Sequence, residues 1–255
     1  MSLPIVLVAF GTTTEAVKTY RFMDAVFREV FPDDEISWAY SSRMVKDRIK
    51  QSKNIDLKHP HQVISELVEQ GQEWVVVQSL HLICGHEFYR MVEEVRQMPV
   101  RTSIGLPLFA EPRDYHDTVK AFEPVIRADE NTAYIFVGHG TDHPAWTSYV
   151  ALEWMFRKEF GDNIFVGVVE GTPSRAEVVD TVARAGFKRA HLIPLMLVAG
   201  THFYEDLVDD EDSWKRTLEQ RGISVVVEEG GLGYVREIVG IFCRHIRAAV
   251  EAVIS

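Results

Sequence analysis

The chain runs through one series of elements twice, and this constrains its fold more than any other feature. Apolar stretches of strand length at Ile5–Ala9, Glu35–Tyr40, Trp74–Leu82 and Thr102–Leu106 alternate with helical patterns at Glu15–Phe31, His61–Gln70 and Glu87–Met98. A second series follows, with strands at Tyr134–Val137, Ile164–Val169, Ala190–Leu197 and Ile223–Glu228. Its helices are expected at Ala145–Phe160, Arg175–Ala185, Phe203–Arg221 and Val235–Ala252. Strands that alternate with helices form a parallel sheet covered by those helices. The two series also match residue by residue. "AFGTTTEA" aligns with "VGHGTDHP", which pairs Gly11 with Gly140 and Thr12 with Thr141. "CGHEFYRMVEEV" aligns with "AGTHFYEDLVDD", which pairs Gly85 with Gly200, Glu87 with His202, and Phe88-Tyr89 with Phe203-Tyr204. The first series is longer because of the crossover "MVKDRIKQSKNIDLKHPHQ". A duplicated unit sets the architecture. The expected fold is α/β: two similar lobes, each a mainly parallel four-stranded sheet flanked by helices, with a cleft between them. The boundary is expected where "FEPVIRADENTAY" gathers Pro, Asp, Glu and Asn, giving lobes 1–126 and 127–255.

Composition narrows the partners. A net charge of −11 argues against nucleic acid, because phosphate binding needs clustered Lys and Arg. Two cysteines, Cys84 and Cys243, in 255 residues do not make a disulfide framework and read as reduced thiols. The opening "MSLPIVLVAFGTTTEA" has no basic segment and no small-residue cleavage site, so it reads as a strand rather than a signal peptide. No apolar run approaches the ~18 residues of a membrane helix. The expected location is cytoplasmic, with no membrane partner. A homo-oligomer is compatible with this sequence.

Ligands of open parallel sheets bind beyond the carboxyl ends of the strands, where the strand order reverses. In the second series those ends deliver His139 in "VGHGTDHPAW", Glu170 in "VVEGTPS" and His202 in "MLVAGTHFYED". With a strand order of 2-1-3-4, these three rise from neighbouring strands. The first series has Phe10, Ser41 and Glu87 at the same places. Two imidazoles and a carboxylate suit a borderline divalent ion, or they can accept protons near neutral pH. The bland alternative is that His139 and His202 are ordinary polar residues at loop starts. Among the other histidines, His143 in "TDHPAW" reads as part of a helix entry capped by Asp142 or Thr141. His81 reads as a core histidine of the third strand, His86 as a neighbour of Glu87, and His59 and His61 as surface residues. Thr12 and Glu15 read as a capping box that starts a helix, and the N–H groups of its loop could meet a substrate carboxylate. Ser41, Ser42 and Arg43, in "YSSRMVKDR", could hold an anion, Arg43 bidentately; a surface salt bridge explains Arg43 equally well. Neither a phosphate loop, a GxGxxG turn nor a GxSxG elbow is present, so nucleotide cofactors and the α/β-hydrolase reaction are not indicated.

At these residues the chain resembles the class II tetrapyrrole chelatases, and within them the anaerobic cobalt chelatases. The match is carried by "VLVAFGTT", "AYSSRMV", "HLICGHEFYRM", "VGHGTDHPAW", "VEGTPS" and "LIPLMLVAGTHFYEDL", which occur in the family's order and span nearly the whole chain. The resemblance implies two α/β lobes with an active site in the cleft. It implies insertion of Co2+ into sirohydrochlorin, or its reduced precursor precorrin-2, during cobalamin synthesis. The metal-site residues carry over as His139, Glu170 and His202, and Glu87 as the acidic residue of the other lobe. In this reading His139 and His202 hold the ion with help from Glu170. Glu87 takes protons or steadies the macrocycle, and Thr12, Ser41, Ser42 and Arg43 meet its carboxylates. No cofactor is bound permanently; Co2+ is a substrate, and Fe2+ for sirohaem stays admitted. Two rival readings are a non-enzymatic metal or tetrapyrrole carrier and a metal-dependent hydrolase.

Overall fold

The computed structural model describes residues 3–11, 17–42, 57–126 and 129–254, without the side chains at 201, 202, 253 and 254. The chain divides into two units, Met1–Ala110 with Arg236–Ser255, and Glu111–Val235.

The first unit holds β1 (Ile5–Ala9), β2 (Ile36–Tyr40), β3 (Trp74–Ser79) and β4 (Arg101–Gly105), with α1 (Val17–Val30), α2 (Pro60–Glu69) and α3 (His86–Arg96) between them. The strands run in the order β2-β1-β3-β4, and every pairing is parallel. β1 is buried along its whole length, as a strand covered on both faces must be, and accordingly reads as an unbroken apolar run. On one face Val6 and Val8 pack with Val63, Ile64 and Leu67 of α2 and with Met91, Val92 and Val95 of α3. The other cover comes from the far end of the chain: the last helix, Arg236–Ile254, lies against β3, β4 and α1. Arg236 pairs with Glu29 of α1 there. That exposed ion pair adds little; the buried residues Ile238, Val239, Ile241, Phe242 and Ile246 supply the attraction.

The second unit opens with α4 (Pro112–Ala121) and α5 (Glu123–Ile126). It continues with β5 (Thr132–Gly140), a 3-10 turn (Pro144–Trp146), α6 (Thr147–Phe160), β6 (Ile164–Glu170), α7 (Arg175–Arg184) and β7 (Arg189–Pro194). Then come α8 (Thr201–Tyr204), a π-helical turn (Glu205–Asp209), α9 (Trp214–Glu219), β8 (Ser224–Val227) and a 3-10 turn (Leu232–Tyr234). The order β6-β5-β7-β8 repeats that of the first unit, again all parallel. Phe136 stacks on Phe156 with ring centres 4.4 Å apart, and Phe122 meets Phe136 edge-on at 5.0 Å. Trp214 fills the space above Gly167, where any Cβ would lie 2.3 Å from the indole.

Two parallel four-stranded sheets flanked by helices, in the order 2-1-3-4, are the expected architecture. Three features differ from the expectation. The boundary expected at 126/127 followed the turn-forming residues of "FEPVIRADENTAY", whereas the contacts divide the chain after Ala110 and again before Arg236. The reason at the first division is a helix start at 111–114: the Glu111 N–H donates to Asp114 in a capping box with Pro112 in the first turn, and the helix so begun packs on α6. The helix expected over Phe203–Arg221 is broken into the π-helical turn and α9, which restarts at a serine cap, Ser213. The helix expected over Val235–Ala252 is present, as α10 (Arg236–Ile254), but belongs to the first unit. Among the described residues, no helix is long and apolar enough to cross a membrane.

Candidate functional site

In the second unit, His139 stands exposed at the carboxyl end of the central strand β5. Glu170 is the last residue of β6 and pairs in register with Gly140. The backbones are tight here: a Cβ on Gly140 would lie 1.7 Å from the Glu170 carbonyl oxygen, and Gly140 has φ 94°. Only glycine fits that approach and that dihedral. The turn is also held from below, where the phenol oxygen of Tyr149 accepts the Gly140 N–H at 3.3 Å. Its counterpart in the first unit has the same lock: Tyr20 accepts the N–H of Gly11, which has φ 106°, at the same 3.3 Å. Both phenols are buried, which pushes their pKa upward and keeps them neutral.

His139 Nδ1 lies 3.4 Å from the Gly140 carbonyl. That weak contact favours the tautomer with N–H at Nδ1, leaving the Nε2 lone pair for a ligand, the arrangement metal-binding histidines use. A carboxylate absent from the expected set joins it. Asp206, second residue of the π-helical turn, has its pKa raised by desolvation, then by Asp210, Glu170 and Glu205, with His139 opposing. It therefore shares an electrostatic neighbourhood with both His139 and Glu170. π-helical turns recur at functional sites because the extra residue re-aims side chains. The sequence contained a hint, since Asp206 follows His202 by one helical turn, but helix periodicity alone predicted an unbroken helix. Among the described residues, the ligand atoms of His139, Glu170 and Asp206 do not all lie within 4.8 Å of one another. The backbone at His202 lies in α8, which follows β7, and its side chain lies outside the described residues.

His143 serves the helix entry in its own way. Its Nδ1 accepts the Ala145 N–H at 3.1 Å, while Thr141 accepts the N–H of His143. The cap is thus the histidine itself rather than Asp142 or Thr141.

In the first unit, the corresponding edge carries exposed Phe10, buried Ser42, and half-buried Ser41 and Glu87. Thr12 and Arg43 lie outside the described residues. Glu87 sits in the first turn of α3, where the helix dipole favours a carboxylate. Its Oε1 accepts from Arg90 at 2.6 Å. Its Oε2 is buried and has no hydrogen-bond partner among the described residues, which leaves an acceptor in reserve. His81, expected inside the third strand, lies just past the end of β3 between two serines. An edge of the residue reaches solvent, yet the ring is packed deeply enough that desolvation lowers its pKa to about 4.

That shift makes a testable statement about acid stability. The folded pKa lies below the unfolded value of 6.5, so the contribution is fully present above pH 6.5 and is lost as pH falls toward 4. Urea melts at pH 7 and pH 5 should show a loss from this one group on the order of 2 kcal/mol. The loss should be missing from the difference between the same two melts of His81→Met.

Comparison with known proteins bears on these residues. Residues 4–251 match the family model described as cobalt chelatase (CbiK). The chain is 34% identical over 232 residues to the sirohydrochlorin cobaltochelatase of Salmonella typhimurium, covering 88% of this chain and 86% of that protein. It is 31% identical over 260 residues to the sirohydrochlorin cobaltochelatase CbiKC of Nitratidesulfovibrio vulgaris, covering 97% and 90%. Among solved structures, SirB from Bacillus subtilis with Fe3+ superposes with a TM-score of 0.71 at 15% identity, covering 98% of this chain and 96% of that one, a likeness of fold.

Proposed function

The chain belongs to the CbiK cobalt chelatase family, and from that premise we propose that it is a sirohydrochlorin cobaltochelatase. It is a lyase that inserts Co2+ into sirohydrochlorin without ATP, in the cytoplasmic part of cobalamin synthesis. The reaction exchanges two pyrrole N–H protons for one divalent ion. The ion must shed water, the macrocycle must bend so that its nitrogen lone pairs meet the ion, and a base must take the protons.

The observation that carries this reading is the setting of His139. It is an exposed imidazole whose Nδ1 faces a backbone carbonyl and leaves Nε2 for a ligand, at the sheet edge where β6 ends in Glu170 and within the field of Asp206. Negative charge around an imidazole draws a divalent cation. Exposure keeps the ion exchangeable, which a delivery site needs and a closed structural site prevents. His139 and His202 hold Co2+ with Glu170, and Asp206 adds attraction. Glu87, with its spare Oε2, takes pyrrole protons. Ser41, Ser42, Thr12 and Arg43 meet the carboxylates of the tetrapyrrole.

The test is anaerobic: sirohydrochlorin and Co2+ are mixed with enzyme at a small fraction of the substrate, and the absorbance is followed against an enzyme-free control. Many turnovers per enzyme are expected. A spectral change that stops at one equivalent would make the protein a carrier. Faster conversion with Fe2+ than with Co2+ would move it to sirohaem synthesis.

A further inference from the structure

We propose that His81 is a positioning residue for the tetrapyrrole, holding the Ser41 hydroxyl so that its proton points outward to a substrate carboxylate. The proposal rests on the chelatase reading above.

The argument starts from hydrogen-bond bookkeeping. Ser79 Oγ lies 2.9 Å from His81 Nδ1 and also accepts the backbone N–H of His81 at 3.4 Å. Ser41 Oγ lies 3.3 Å from His81 Nε2. Ser79 is fully buried, so its own proton needs an acceptor. The acceptor at hand is Nδ1. With Nδ1 accepting, the single proton of the neutral ring sits on Nε2 and donates to Ser41 Oγ. The oxygen of Ser41 is then engaged as an acceptor, and its O–H is left to donate. The reverse polarity would leave a buried serine proton without a partner among the described residues. The relay thus runs one way: from the backbone N–H of His81 through Ser79 and the imidazole to Ser41, and outward.

The duplication supplies an internal control. Leu80 donates to Val8 as Leu195 donates to Val137, and Leu108 donates to the His81 carbonyl as Leu232 donates to that of Met196. The residue at the place of His81 in the second unit is therefore Met196, packed against the apolar core. The same backbone accepts a thioether, so the fold does not require an imidazole at this place. Ser41 in turn occupies the place of Val169, one residue before that of Glu170: its N–H continues the ladder past β2 to Ala9. The second unit carries an acceptor for a cation as the last residue of β6, and the first carries an oriented donor one place earlier along the equivalent strand edge. A hydroxyl whose oxygen is already engaged and whose proton has no acceptor among the described residues suits a carboxylate.

Steady-state kinetics at fixed Co2+ on His81→Met, Ser41→Ala, the double variant and His81→Gln test the inference. A hydrogen bond to a charged acceptor is worth a KM change of about tenfold. His81→Met and Ser41→Ala should each raise KM for sirohydrochlorin by that factor, with kcat and KM for Co2+ held. The double variant should be no worse than either single, because His81 acts through Ser41. His81→Gln should recover part of the loss, since its amide can donate toward Ser41. A His81→Met enzyme with wild-type KM, or single effects that multiply in the double variant, overturns the inference while leaving the chelatase reading intact. A wild-type protein that neither binds nor metallates sirohydrochlorin, by absorbance titration, overturns both. Thermal melts separate misfolding from lost affinity, and His81→Gln keeps the test open should His81→Met fold poorly.

Discussion

His139→Ala is expected to lower kcat/KM for Co2+ insertion by about 100-fold or more, since even partners one step removed from a metal cost up to that factor. The fold should be untouched. His139 is exposed, its side chain makes one weak contact with the neighbouring carbonyl, and the Gly140 turn is held by Tyr149 and by β6 rather than by the imidazole. Exposed substitutions of this kind shift stability within about 0.5 kcal/mol. The check is paired: anaerobic turnover at substoichiometric enzyme, and a urea melt of the same preparation. Near-normal turnover would remove His139 from the metal site. Lost turnover with an early melt would show that the turn depends on the imidazole after all.

Gly140→Ala should produce the larger structural effect. Its Cβ would enter the Glu170 carbonyl at 1.7 Å, and that neighbour is backbone inside a strand pairing and cannot swing aside. The left-handed φ adds about 1–2 kcal/mol, and separating β5 from β6 brings the total to about 4 kcal/mol or more, the range reserved for core disruption. Because the same movement carries His139 away from Glu170, activity should fall with it. Gly186→Ala is the matched control: φ is 86° there, but a Cβ meets nothing within 4 Å. It should show the dihedral cost alone and keep full activity. Equal losses for the two variants, by urea melts, would mean that the close approach at Gly140 contributes nothing.

Much of this site is readable in the chain because it is built on strand ends. A parallel strand buried on both faces shows as an apolar run, and the residue after the run is where a ligand meets the sheet. His139, Glu170 and Ser41 are legible for that reason. Asp206 is not, because a π-helical turn differs from an α-helix by one hydrogen-bond step and leaves the apolar spacing of "FYEDLV" nearly unchanged. His81 is legible as a satisfied histidine but not in its partners, and it lies just past β3 rather than inside it. An imidazole at the end of an apolar run looks like core, and the serines that orient it come from its own strand and from the end of β2. The tyrosine locks on Gly11 and Gly140 keep the spacing of the repeat, so an alignment of the halves that looked past the loops would have found them.

The sequence by itself determined the duplicated α/β pattern, the parallel sheets and the residues at their carboxyl ends, because periodicity and turn chemistry act over a few residues. Tertiary structure alone decided which unit each amphipathic helix covers. Arg236–Ile254 follows the last strand of the second unit yet buries Ile238, Phe242 and Ile246 in the first, on β3, β4 and α1. An apolar stripe states that a helix must be covered and is silent about by what. The partner is set by which sheet face lacks a cover once the chain has closed, and that is a property of the whole fold.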